Sequence, residues 1–318
     1  PEGREPFCRA MGKWLGGRLG MRRDLRRHLM AVDSSFEDVP IVFGEHHHSH
    51  AAAAFLASPF DEAAVLTVDG VGERATTTVG VGSGARVTLE REIHFPHSLG
   101  LLYSAFTSYL GFKVNSGEYK LMGLAPYGKP KFKKLILSHL IDVKEDGSFR
   151  LDIKYFGYCT GFTMTNDRFH DLFGASPRRA EEPVNQWHMD MAASIQAVTE
   201  EVMLLMGRSA LRETRQDSLC LAGGVALNCV ANGKLLRESG AKRLWVQPAA
   251  GDAGGALGAA LGYYWEQAAA QGKTREAVDI MEGSYLGPNY SQAEIETRLS
   301  RAEAAFEVMS PEAMLEVV

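Results

Sequence analysis

His46 and His50 stand four residues apart, so on a helix they share one face. Two neutral imidazoles at that spacing are a standard way to put two nitrogens on one metal ion. No Glu follows the first histidine, which sets the pattern apart from that of zinc proteases. A two-histidine site needs at least one more ligand, usually a carboxylate. Asp252, within Gly251-Asp252-Ala253-Gly254-Gly255, is the best candidate, and Asp69, within Asp69-Gly70-Val71-Gly72, is the second. Both follow strand-like runs, where α/β folds place ligands beyond the carboxyl ends of the strands. Residue types alone leave alternatives open: either Asp also suits a helix N-cap, and the histidines also suit a polar helix end.

Three glycine-rich turns follow strand-like segments, at Asp69-Gly70, Gly223-Gly224 and Gly251-Asp252. Glycine lets backbone N–H groups approach phosphate oxygens, and a helix N-terminus adds a favourable dipole. Together with the histidine pair these turns point to a phosphate-containing ligand, although none matches a P-loop or a dinucleotide fingerprint. Lys120, on a loop between Gly117 and Gly123, suits either a phosphate contact or an ordinary surface position. His97 suits a helix cap or a place in an acceptor pocket.

These residues need elements to hold them. Residues 11–30 read as one cationic helix and 39–43 as a short strand; the histidine run then opens a helix that Ser58-Pro59 stops. Residues 64–68, 75–81 and 86–93 read as strands, the last two joined by a Gly-Ser-Gly turn. Ser98 is a plausible N-cap for a helix over 99–110. Residues 113–129 read as a glycine-rich loop, and 132–185 as an insertion, helical near its start. A long helix over 187–212 precedes strands at 218–222 and 244–246, with helices over 226–239 and 256–265. A charged helix over 291–304 follows Gly287-Pro288. Alternating strands and helices with one hairpin indicate an α/β fold.

Composition narrows the class. Four scattered cysteines (Cys8, Cys159, Cys220, Cys229) suit reduced thiols in a cytoplasmic protein. No run approaches the ~18 apolar residues that span a bilayer. The net charge of −5 hides a basic stretch: residues 1–30 carry +5, which leaves −10 for the rest. That acidic remainder argues against a broad nucleic-acid face.

The motifs converge on a family. Glu45-His46-His47-His48-Ser49-His50-Ala51-Ala52 resembles a signature of the NodU/CmcH-type O-carbamoyltransferases. Similar matches are Leu66 to Glu73, Phe95-Pro96-His97-Ser98-Leu99-Gly100 to Tyr103, Asn115 to Gly128, Leu221 to Cys229 and Gln247 to Gly254, in the family's order. The resemblance implies an actin-like ATPase (ASKHA, Kae1-like) fold with mixed sheets and flanking helices over 40–285. Residues 1–39 read as a basic helical segment, and the resemblance implies over 286–318 a linker and the start of a YrdC-like domain. It implies a metal ion, iron or alternatively zinc, on His46, His50 and Asp252. Nucleotide contacts would come from Asp69, Gly70, Gly72, Gly223 and Gly224, with Lys120 and Asn228 beside them.

The implied reaction has two stages. A YrdC-like domain, with Mg, makes carbamoyl-adenylate from ATP and carbamoyl phosphate. The Kae1-like domain then moves the carbamoyl group to a hydroxyl of a small-molecule or saccharide acceptor, as in nodulation signals or antibiotics. The family's amino-terminal strand and its loop, which bears the proposed base, have no counterpart in residues 1–40. The sequence thus reads as a transfer domain truncated at both ends, whose catalytic base is unidentified and whose isolated activity is an open question. A homodimer is compatible with this reading, and a membrane or nucleic-acid partner is not expected. Two alternatives remain: a Kae1/TsaD-type tRNA threonylcarbamoyl transferase and an ASKHA sugar kinase.

Overall fold

The structure is a computed structural model that describes residues 3–318. It divides into a unit ending at Ile280 and a second, Met281–Val318. Two helices, α1 (Arg4–Gly16) and α2 (Met21–Val32), open the first unit, and neither buries a residue. The single helix expected over 11–30 is therefore two, because Gly16, Gly17 and Gly20 fall where it would continue and glycine costs about 1 kcal/mol in a helix interior. The strand expected at 39–43 does not form. Its Val39 carbonyl accepts from the Arg26 guanidinium at 3.1 Å, while Val39 and Phe43 stay exposed.

Helix α3 (His46–Phe55) follows, then β1 (Glu62–Val68), β2 (Ala75–Ser83) and β3 (Arg86–His94). Next come α4 (Leu99–Tyr109), α5 (Glu118–Leu124), α6 (Lys133–His139), the hairpin β4 (Ile141–Val143) and β5 (Phe149–Leu151), α7 (Asp167–Phe173) and the long α8 (Gln186–Thr214). Strand β6 (Ser218–Ala222), α9 (Cys229–Glu238), β7 (Arg243–Val246) and α10 (Gly255–Ala270) complete the unit. Ser98 caps α4 as expected, accepting from the Leu101 N–H at 3.0 Å. Part of the expected 113–129 loop is the helix α5. The Glu118 carboxylate accepts from the N–H groups of Asn115 and Gly117, and the wholly buried Leu121 anchors the helix to the core.

The five-stranded sheet has the order β3-β2-β1-β6-β7. Strands β1, β6 and β7 run parallel, while β2 is antiparallel to both of its neighbours. Alternate residues of the central strands serve opposite faces. Ala63, Val65, Cys220 and Ala222 meet the small apolar residues of α3, with Trp245, Leu261 and Trp265 packed against them. Ala64, Leu66, Val68, Leu219 and Leu221 join the larger core built on α4 and α8. With both faces covered, these strands are continuously apolar. Segment 132–185 contributes Ile136, Phe149, Phe169 and Phe173 to that larger core, with Phe106 and Phe169 edge to face at 5.2 Å.

Two contacts set the helices on this frame. Asp190, buried at the start of α8, accepts from the Lys129 N–H and the Gln186 amide, both at 2.9 Å, and pairs with Lys131 at 2.6 Å. On the opposite face α10 crosses α3 so closely that a Cβ at Gly258 would overlap the Ser49 carbonyl oxygen. The second unit contains α11 (Gln292–Arg301), closed by a Ser291/Glu294 capping box, and α12 (Pro311–Val317), capped by Ser310.

Gly258→Ala is expected to destabilise the protein by about 2 kcal/mol in urea unfolding, because overpacking against backbone outweighs the gain in helix propensity. A more stable variant would mean that α3 and α10 are not held this close. The Lys131 ammonium, with the other donors, holds the Asp190 carboxyl down to about 2. The folded pKa lies below the unfolded one, so the contribution of Asp190 is complete above pH ~4 and fades as pH falls toward 2. Unfolding measured between pH 6 and pH 2.5 should therefore lose less stability on acidification in Asp190→Asn than in the parent.

Candidate metal centre

The chain runs outward from β1 to β2 and β3, then returns to lay β6 and β7 on the other side of β1. The strand order thus reverses between β1 and β6, and open α/β sheets bind ligands outside the carboxyl ends of the strands at such a switch point. Asp69 leaves the end of β1, Gly223-Gly224 leaves β6, and a 3₁₀ turn, Asp252–Gly254, leads into α10. The first turn of α3 faces the same place.

One nitrogen or oxygen from each of His46, His50, Asp69 and Asp252 lies within 4.8 Å of all the others. His46 Nε2 is 2.8 Å from Asp69 Oδ2, His50 Nε2 is 3.2 Å from the same oxygen, and the two imidazole nitrogens are 3.0 Å apart. Donors at right angles on a metal with bonds of about 2.1 Å stand about 3.0 Å apart, so these three atoms have the spacing of one octahedral face. Asp252 Oδ1 stands farther off, 3.6 Å from His46 Nε2 and 3.7 Å from His50 Nε2. The Asp252 side chain is 81% exposed and that of Asp69 12%, so Asp69 is the inner carboxylate. His50 Nδ1 is buried without a hydrogen-bond partner among the described residues, so no protein group holds that nitrogen. The donor set of two imidazoles and two carboxylates fits a first-row metal ion such as iron or zinc.

Burial would raise the Asp69 carboxyl, but hydrogen bonds from His46, His50 and the N–H groups of Gly224 and Gly70 outweigh it. They hold the group far below the ordinary carboxylate range. The hydrogen bond to Asp69 in turn raises His46. Asp69 Oδ1 is turned away from the imidazoles and accepts from the Gly224 N–H at 3.0 Å. Gly223 makes this turn possible. Its φ of 90° is left-handed, and a Cβ there would overlap the Val68 carbonyl.

His47, between the two site histidines, behaves oppositely. Burial pushes it down to about 4. Its Nε2 lies 2.9 Å from the Ala75 carbonyl, which only accepts, so Nε2 carries the proton. Nδ1 must then accept from Thr67 Oγ1 at 2.6 Å, and Thr67 in turn accepts from Thr78 Oγ1 at 2.6 Å. This one-way relay fastens α3 to both β1 and β2. The Glu73 carboxylate adds a cap, accepting the His46 N–H with both oxygens at 3.1 Å.

The structure brings His46, His50, Asp69 and Asp252 together, with Gly224 bonded to Asp69 and Gly72 packed against the His46 ring. Gly70 lies in the same loop as Asp69, and the Asp69 carbonyl accepts from the Ser98 hydroxyl at 3.0 Å. Asn228, nearly buried, caps α9 through the Ala231 N–H and pairs with the Gln196 amide. Lys120 sits on α5 with its ammonium 6.0 Å above the Tyr119 ring, and it joins no ion pair among the described residues. Sequence reasoning missed the His47 relay and Glu73. The available signal was Thr67 within the apolar run of β1 and the threonine run Thr76-Thr77-Thr78 in β2.

A family model described as Carbamoyltransferase N-terminus matches residues 1–261. Uncharacterized protein sll1178 of Synechocystis sp. is 56% identical over 98% of this chain and 51% of its own length. Nodulation protein NolNO of Sinorhizobium fredii is 38% identical over 81% of this chain and 37% of its own. The chain thus spans about half, or less, of the length of these relatives. The crystal structure of T. kodakarensis HypF is similar at a TM-score of 0.40 and 16% identity, over 80% of this chain and 40% of that one.

Nitrogen-15 spectra are expected to show His47 as the neutral Nε2–H tautomer at pH 6. Thr67→Val, which leaves Nδ1 buried without a donor, should cost about 1–3 kcal/mol of stability. An Nδ1–H tautomer would reverse the direction assigned to the relay.

Proposed function

The chain belongs to the carbamoyltransferase N-terminus family, and from that premise we propose that it carries the transfer site of an O-carbamoyltransferase. On this reading a metal ion is held by His46, His50, Asp69 and Asp252, and a carbamoyl group passes from carbamoyl-adenylate to an acceptor hydroxyl. The observation that carries the proposal is the convergence of two imidazoles and two carboxylates at the switch point of the sheet. The mixed sheet with glycine turns at its carboxyl ends supports an actin-like, Kae1-like unit over 40–285. Residues 286–318 would lead toward an adenylating domain.

The bound metal would act as a Lewis acid beside the phosphate of the leaving adenylate. The chain's own residues have separate tasks. Asp69 stays ionised because Gly224 and the imidazoles donate to it, so it presents a fixed negative charge to a cation. Asp252, exposed, can move the short distance needed to complete the ligand set. The glycines Gly70, Gly72, Gly223 and Gly224 would serve the nucleotide by letting it approach the backbone closely, since their own N–H groups are taken up by Asp69 (Gly70, Gly224), the Ala75 carbonyl (Gly72) and the Ala250 carbonyl (Gly223). Asn228, which caps α9 and pairs with Gln196 just after the Gly223-Gly224 turn, and Lys120 are assigned as outer nucleotide contacts. His47 is not the base that takes the acceptor's proton, since both of its nitrogens are engaged.

The metal assignment is tested by elemental analysis of the purified chain after reconstitution with ferrous or zinc ion. The wild type should hold close to one equivalent, and His46→Ala with His50→Ala should hold almost none while remaining folded by circular dichroism. Asp69→Asn should weaken binding at least tenfold more than Asp252→Asn. A wild type that stays metal-free would remove the metal reading and favour a kinase of similar architecture. The reaction is tested on the full-length protein with ATP, carbamoyl phosphate and a panel of alcohols, with AMP and a carbamate product read by mass spectrometry. Absence of both products would sink the transferase assignment.

A further inference from the structure

Where β3 ends, the chain leaves the sheet through Phe95-Pro96-His97 and meets the β4–β5 hairpin. A cleft of about 370 Å³ lies between them, lined among others by His94, Phe95, His97, Lys144 and Arg150. That volume is within the range of small-molecule sites. Most polar groups on its walls are already engaged. His94 pairs with Glu92, Lys144 pairs with Asp142 at 2.7 Å, and the Ser148 hydroxyl donates to Asp146 at 2.7 Å.

Two donors are left over. The Leu151 N–H donates to His97 Nδ1 at 3.1 Å, which makes Nδ1 the acceptor and leaves the proton of the neutral ring on Nε2. That Nε2–H has no partner among the described residues. Arg150 is exposed on β5 and makes no hydrogen bond or ion pair among the described residues, yet its charge is close enough to act on His97. The Phe95 ring, 43% exposed, supplies an apolar wall beside them.

We propose that this cleft is a binding site for a small ligand bearing one anionic group, a carboxylate or a phosphate ester. The guanidinium of Arg150 and the Nε2–H of His97 take the anion, and the ligand's ring or chain lies against Phe95. A planar guanidinium beside a fixed imidazole donor suits an oxyanion better than a neutral hydroxyl. The cleft is joined to the Asp69 loop through Thr76, whose hydroxyl donates to the His97 carbonyl and whose own carbonyl accepts the Asp69 N–H at 2.9 Å. It contains none of the metal-centre residues, so the inference stands independently of the transferase reading.

Calorimetric titration of the metal-free chain with glucuronate, glucose 6-phosphate, inorganic phosphate and glucose tests it. Saturable binding is expected for glucuronate or glucose 6-phosphate, and whichever binds more tightly identifies carboxylate or phosphate as the preferred anion. Glucose should bind at least tenfold more weakly. Arg150→Ala, at an exposed position, should weaken the anionic ligand at least tenfold with unchanged thermal unfolding, and the bound ligand should shift the His97 Nε2 resonance. Binding should persist in His46→Ala with His50→Ala, which excludes the metal centre as the site. No saturable binding by either sugar anion, equal binding of glucose, insensitivity to Arg150→Ala or loss of binding in the double-histidine variant would each overturn the proposal.

Discussion

The Asp69 carboxylate is the constraint around which the rest of the site is arranged. Burying an ionised carboxylate costs several kcal/mol unless donors meet it. Here one oxygen takes the Gly224 N–H and the other faces the imidazoles of His46 and His50. These contacts bind the end of β1, the turn after β6 and the first turn of α3 into one structure. Gly223 must be left-handed to bring the Gly224 N–H over the carboxylate, and α3 must sit low on the sheet for its histidines to reach the other oxygen.

The seating of α3 is governed by neutral chemistry. His47 lies one residue from His46, yet the two environments pull in opposite directions. His46 is favoured in its charged form by Asp69, whereas burial keeps His47 neutral and the Thr78–Thr67 relay holds it in one tautomer. Adjacent histidines therefore divide the work, one presenting a nitrogen to the site and the other fastening the helix. The alanine run of α3 and the close approach at Gly258 allow α10 to lie across it, which brings Asp252, just before α10, to the edge of the cluster.

The larger core supports this arrangement from the other face. Helix α8 and the aromatic residues of segment 132–185 fill the side of the sheet opposite α3, so β1 and β6 are clamped between two apolar layers. Rigid strands then fix the positions of Asp69 and Gly224, although 155 residues separate them in the chain. The ionisable groups of the centre are thus gathered at the open end of a sheet whose two faces are packed with apolar side chains.

By itself the sequence determined whatever is written in local spacing. The i, i+4 pair of His46 and His50, the β1–β3 strands, the Ser98 cap and the glycine turns were all legible, because backbone periodicity and turn chemistry act over a few residues. The family motifs were legible as a resemblance, because they are contiguous runs of residues. Tertiary structure alone decided that Asp69 lies closer to the imidazoles than Asp252, since that ranking depends on the pairing of β1 with β6. It also made α5 a helix, through the burial of Leu121 and the bond from the Ser104 hydroxyl to Glu118, and it left residues 39–43 without a partner strand, the Val39 carbonyl meeting Arg26 instead. Local pattern sets which way a side chain can point, and only packing sets what it meets there.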